Sequence, residues 1–127
     1  MTPKIKEDRQ AAHRRGHTSE TLAALWLRLK GYRILARRLK THAGEIDLVA
    51  AAPFGPVCFV EVKARAHLDQ ALLALNPAAL RRVSRAARLL AGQYAARVRP
   101  VAVRIDAVLV VPRHWPHHIE AVWQEAR

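Results

Sequence analysis

Hydrophobic and polar positions change period several times along the chain, and each change marks an element. Thr18 or Ser19 can cap a helix that runs to about Lys30, in which Leu22, Leu25, Trp26 and Leu29 recur at helical spacing and predict one buried stripe. Gly31 is placed to stop it. From Tyr32 to Arg38 the pattern reads as a first strand, with Tyr32, Ile34 and Ala36 on one face and Arg33, Leu35 and Arg37 on the other. A turn around Lys40 to Gly44 leads into a second strand from Glu45 to Ala51 and a third from Val57 to Lys63. The short connection through Pro53 and Gly55 predicts that these two are antiparallel neighbours. The third is almost wholly apolar up to Val62, the pattern of an interior strand covered on both faces.

Between Arg65 and Leu75 the signal weakens to a loop or short helix. Asn76-Pro77 is a start signal, the asparagine capping and the proline filling the first turn of a helix that runs to about Arg97. Its buried stripe is expected at Leu80, Val83, Ala87, Leu90 and Tyr94. A fourth strand is expected from Val101 to Val111, interrupted by Arg104 and Asp106, and a short last one from Ile119 to Trp123, after a turn bracketed by Pro112 and Pro116. This order of elements predicts an α/β fold. With 127 residues it predicts one domain over residues 17–127, preceded by a flexible basic arm over residues 1–16.

Chemistry concentrates on the second and third strands. Side chains at i and i+2 of a strand share a face, so Glu61 projects with Lys63, and Glu45 with Asp47. Charges at the ends of apolar strands are costly unless paired or bound to metal. Carboxylate oxygens suit Mg²⁺ or Mn²⁺, and a nearby lysine can orient an attacking water or steady the charge that develops on a phosphate. The same four residues would also suit a solvated ion-pair cluster at a sheet rim, with no chemistry attached.

Charge adds a partner class. Twenty-two Lys and Arg against ten Asp and Glu leave a formal net charge of +12, mostly from arginine, whose planar fork matches phosphate oxygens. Arg81, Arg85 and Arg88 share a face of the long helix, with Arg82 beside them and Arg65 just past the third strand, so these five are the candidate nucleic-acid contacts; an ordinary solvated helix face is the alternative. The only cysteine, Cys58, sits in the apolar strand and reads as a small buried hydrophobe. His114, His117 and His118 lack partners at zinc-site spacing, and there is neither a glycine-rich phosphate loop nor a nucleophile elbow. The first sixteen residues have no apolar signal core and no run approaches a membrane span, so a cytoplasmic protein with no membrane partner is expected.

The run Gly44-Glu45-Ile46-Asp47-Leu48-Val49, followed by Phe59-Val60-Glu61-Val62-Lys63-Ala64-Arg65, resembles the signature of the YraN-like family of uncharacterised bacterial proteins. Glu20, Gly31-Tyr32 with Ile34-Leu35, and Arg104-Ile105-Asp106 match its pattern as well, so the resemblance covers most of the chain. It implies the restriction-endonuclease-like superfamily, with a three-layer fold whose central mixed sheet is flanked by helices. It also implies a metal-dependent nuclease site of the form acidic residue, then acidic residue and lysine two apart. Carried onto this chain, Asp47 and Glu61 would hold Mg²⁺ or Mn²⁺, Lys63 would complete the catalytic set, and Glu20 or Glu45 would be accessory. Two positions depart from the pattern: Ala79 stands where a helix lysine is usual, with Arg81 or Arg82 near enough to replace it, and Arg38 stands where an asparagine is frequent. Relatives in the superfamily include archaeal four-way-junction resolvases, which are homodimers. The expected substrate is therefore DNA, branched or junction DNA included. Cutting both strands of a junction or duplex would call for a homodimer, meeting through the sheet edge or the Trp115 to Trp123 segment; a monomer whose own core is closed by both tryptophans is the alternative. A non-catalytic nucleic-acid-binding module is the alternative.

Overall fold

A computed structural model describes residues 18–95 and 102–123. Residues 18–29 form helix α1. There follow β1 (Arg33–Thr41), β2 (Gly44–Ala51), β3 (Val57–Ala64), α2 (Leu68–Ala74), α3 (Pro77–Ala95), β4 (Val103–Val110) and β5 (His117–Ile119). The five strands make one mixed sheet in chain order, β1-β2-β3-β4-β5. The β3–β4 pair is parallel and the other three pairs are antiparallel. A parallel neighbour requires a crossover, which α2 and α3 supply.

Local chemistry explains the element ends. Gly31 takes φ 90°, and its N–H and that of Tyr32 donate back to Arg28 O (3.0 Å) and Leu27 O (2.9 Å), closing α1 with the left-handed cap that glycine adopts without strain. Asn76 caps α3 as expected, its Oδ1 accepting from Ala79 N at 2.9 Å. Two apolar layers then sandwich the sheet. Ala23, Ala24 and Leu27 of α1 pack with Leu48, Ala50, Cys58, Val60 and Val108 on one face. Val83, Ala86, Ala87 and Tyr94 of α3 pack with Val49, Val57, Phe59 and Ile105 on the other. Ala71 of α2 covers Leu109 and Val111 at the β4 end. The fold is thus an α/β arrangement with a central mixed sheet flanked by helices, and β3 is the interior strand that its sequence predicts.

Three expectations are corrected. In α1 the leucine stripe does not face the sheet: Leu22, Leu25 and Leu29 are 43%, 52% and 71% exposed, while Ala23 and Leu27 are buried. The segment Leu22–Leu27 is apolar all round, so spacing alone does not choose a face; the small alanines allow close approach of helix to sheet, and the same face carries Glu20 inward. Strand β1 extends to Thr41, and a register shift between Ile34 and Ala36 breaks its alternation, so that Ile34 joins the α1 side and both Leu35 and Ala36 the α3 side. The last strand is His117–Ile119 rather than Ile119 to Trp123, because Ala121 turns the chain at φ 50°. The far end of the long helix and the start of the fourth strand, expected at Arg97 and Val101, lie outside the described residues. No helix among the described residues is long and apolar enough to cross a membrane.

Candidate functional site

Strands β2 and β3 pair from Ala51 with Val57 to Leu48 with Val60, and there the ladder stops. The next step of the register would set Asp47 opposite Glu61. Instead, Asp47 Oδ2 accepts from Val62 N at 2.7 Å, so a side chain satisfies the β3 backbone where β2 leaves it. On the other flank the β1–β2 register skips its pair at Arg38 and Asp47, and Arg38 takes a left-handed conformation (φ 50°) uncommon for a side chain of its size. Sheet regularity therefore fails on both sides of Asp47. Glu20 comes down from α1, and Glu45 precedes Asp47 on β2.

One oxygen each from Glu20, Glu45 and Asp47 lies within 4.8 Å of the others. Glu61 and Lys63 project from β3 as a pair, Nζ to Oε1 3.1 Å. Burial pushes the Asp47 carboxyl up to about 7, the charge of Glu61 adds to this and Glu20 contributes, while the Val62 N–H and Lys63 oppose it. Glu20 is also raised, by burial first, against the opposing charge of Arg38, with Glu45 and Glu61 adding to the rise. Arg38 Nε stands 3.6 Å from Glu20 Oε2, too far for a hydrogen bond, and that buried oxygen has no hydrogen-bond partner. A divalent cation fits this set. Oxygens around Mg²⁺, at about 2.1 Å each, lie about 3 to 4 Å apart, so small side-chain movements close the cluster, and the orphaned oxygen gains a partner.

The group of oxygens that the structure gathers differs from the expected metal pair of Asp47 and Glu61. Glu20 and Glu45, expected as accessory, converge with Asp47, whereas the near partner of Glu61 is Lys63. Arg38, visible in sequence only as a departure from a pattern, is the cation beside Glu20.

The profile of the uncharacterised protein family UPF0102 matches residues 19–110, a span that includes every residue of this cluster. The chain belongs to the UPF0102 family. It is 52% identical over 114 residues to a UPF0102 protein of Parvibaculum lavamentivorans, covering 90% of this chain and 84% of that one. It is 51% identical to a UPF0102 protein of Paramagnetospirillum magneticum, with 91% of each chain covered. A UPF0102 protein of Chelativorans is 46% identical over 123 residues, covering 97% of this chain and 98% of that one. The YraN-like resemblance read from the two strand motifs holds at the level of the family.

Elsewhere in this UPF0102 protein, the expected nucleic-acid contacts are all exposed. Arg81, Arg82, Arg85 and Arg88 lie on α3, which packs on the sheet face opposite α1, so they stand in a different layer from Glu20. Arg65 is nearer the cluster in sequence, and its guanidinium donates to Ala64 O at 2.7 Å. Cys58 is buried, as expected, and burial first, then Asp106, push its thiol up to about 12, which favours the protonated thiol over the thiolate. Of the two tryptophans expected at a dimer contact, Trp123 packs against the α3-side core, whereas Trp115 is 76% exposed and stacks on Trp26 at 5.5 Å between ring centroids.

Sequence reasoning took Arg104 and Asp106 as interruptions of a strand and as part of the family pattern, with no role assigned to either. They are an ion pair of a half-buried arginine with a buried acid: Arg104 Nε and Nη2 donate to Asp106 Oδ1 (2.7 Å) and Oδ2 (2.8 Å). His118 Nε2 lies 2.8 Å from Oδ2, Ala121 N donates to Oδ1 at 3.0 Å, and Arg104 Nη2 also reaches the Tyr32 hydroxyl at 2.7 Å. Lys30 meets the other nitrogen of His118. Their i, i+2 spacing, which puts both on one strand face, was the available signal.

Proposed function

We propose that this protein is a metal-dependent nuclease that hydrolyses phosphodiester bonds in DNA, branched or junction DNA included. The observation that carries the reading is the convergence of Glu20, Glu45 and Asp47 oxygens within 4.8 Å, next to the Glu61–Lys63 pair, on a chain of net charge +12. Similarity of the two strand motifs to the restriction-endonuclease-like superfamily supports it. Asp47, Glu20 and Glu45 would hold Mg²⁺ or Mn²⁺, with Glu61 able to join them as the cluster closes. When bound, the cation would supply charge neutralisation and Lewis-acid polarisation of the phosphodiester. Lys63, restrained by Glu61, orients a water or meets charge developing on phosphate oxygens. Glu45, the exposed member, lies on the side open to substrate. Exposed arginines supply backbone contacts, which give affinity without base preference.

The test is a panel of duplex, nicked, single-stranded and four-way-junction DNA, with RNA for comparison, incubated with Mg²⁺ or Mn²⁺. Wild type and Asp47→Ala are purified in parallel, because a host nuclease would contaminate both. Cleavage by wild type alone, with DNA binding by Asp47→Ala unchanged or tighter, is expected. Equal cleavage by both proteins would sink the assignment. Binding without cleavage by either would favour the non-catalytic module, which the net charge alone would support.

A further inference from the structure

At the carboxyl ends of the parallel strands β3 and β4, a cavity of about 120 Å³ is lined by Ala66, His67, Leu68, Val111, His114 and His117. We propose that it is a second metal site, taking a borderline divalent transition ion such as Zn²⁺ through His67, His114 and His117. Sequence spacing grouped His114 and His117 with His118, but His118 is turned into the Asp106 network, and the fold brings in His67 from the start of α2 instead.

The lining selects the ligand. It holds no lysine or arginine, so an anion finds no permanent charge, and no carboxylate, so Mg²⁺ or Ca²⁺ finds no hard oxygen. What it offers is three imidazoles, the donors preferred by Zn²⁺, Co²⁺ and Ni²⁺, beside apolar Ala66, Leu68 and Val111. Three protein ligands leave a fourth position open, and a volume of this size accommodates an ion with its remaining water.

The backbone already places the three segments. Arg65 N donates to Val110 O at 3.2 Å, joining the two strand ends; His114 N donates to Val111 O at 3.2 Å; and His117 pairs with Leu109 on β4. Among the described residues only the acidic cluster has three ligand atoms within 4.8 Å, so the imidazoles stand farther apart than that. All three residues are exposed, so the site requires side-chain rotation to turn their rings toward a shared ion. This site is independent of the proposed nuclease centre, since it uses nitrogen rather than oxygen donors and a different pair of strands.

The test titrates the untagged full chain with Co²⁺ and follows its visible ligand-field absorption. One Co²⁺ per chain with nitrogen-type bands is expected, displaced by Zn²⁺ and not by excess Mg²⁺. His67→Ala, His114→Ala and His117→Ala should each weaken binding at least about tenfold. The triple variant should abolish it, with circular dichroism confirming the fold. Asp47→Asn should keep the bands. Absence of bands in wild type, or bands that survive the triple variant, would overturn the site, as would bands lost in Asp47→Asn and retained without the histidines.

Discussion

Two carboxylates in one sheet, Asp47 on β2 and Asp106 on β4, have opposite fates. Asp106 is fully buried and fully matched: Arg104, His118 and the Ala121 N–H surround it. Burial pushes its carboxyl up, but hydrogen bonds from His118, Arg104 and Ala121 outweigh that and bring it down to about 2. Asp47 has one backbone N–H and faces Glu61 and Glu20, and its carboxyl rises to about 7. A satisfied buried acid holds structure together. A poorly satisfied one among other acids keeps its capacity to bind something else, and that capacity is what a cation site requires.

Removing each acid should separate these roles. Asp106→Ala removes the buried acid that the half-buried Arg104, His118 and the Ala121 N–H surround, and should cost about 3 kcal/mol in chemical denaturation. Asp47→Asn relieves repulsion and should leave stability unchanged or raise it; an equal loss in both variants would erase the contrast. Next in size, Mg²⁺ at about 100 times its dissociation constant should add about 2.7 kcal/mol to wild type. Asp106→Asn, if it remains folded, should keep that increment, while Asp47→Asn and Glu20→Gln should lose it.

The pH dependence carries opposite signs at the two sites. Asp47 binds its proton more tightly folded than at its ordinary value of 3.8, so its contribution makes stability fall as pH rises from about 4 to about 7. Asp106 is lowered, so its stabilisation is present above 3.8 and is lost as pH falls toward about 2. Denaturation across this range should show the first slope disappear in Asp47→Asn and diminish in wild type with Mg²⁺. The smallest effect is expected on the outer face of α1, where Leu25→Gln or Leu29→Gln should shift stability by no more than about 0.5 kcal/mol, since neither side chain is in the core. A loss of about 2 kcal/mol or more would return the leucine stripe to a buried position.

What the sequence made legible follows from which signals are local. Strands β2 and β3 were readable because alternation and an apolar run are properties of neighbours, and α3 because Asn76-Pro77 caps a helix regardless of what packs on it. The α1 face was not readable, since apolar residues surround that helix and only the tertiary arrangement selects Ala23 and Leu27 over Leu25 and Leu29. Asp47, Glu61 and Lys63 stood out as charges in apolar strands. The convergence of Glu20 with Asp47 depends on the docking of α1 and on irregular β1–β2 pairing at Arg38, neither of which has a sequence period. The union of His67 with His114 and His117 depends on parallel pairing of β3 with β4, a contact between distant segments.

The central claim is that the Asp47 cluster binds a hard divalent cation, and Mn²⁺ binding followed by electron paramagnetic resonance tests it most directly. Wild type should hold one Mn²⁺ per chain that Mg²⁺ displaces, the triple histidine variant should bind it equally well, and Asp47→Asn should leave the ion free in solution. Mn²⁺ bound equally by wild type and Asp47→Asn would contradict the account.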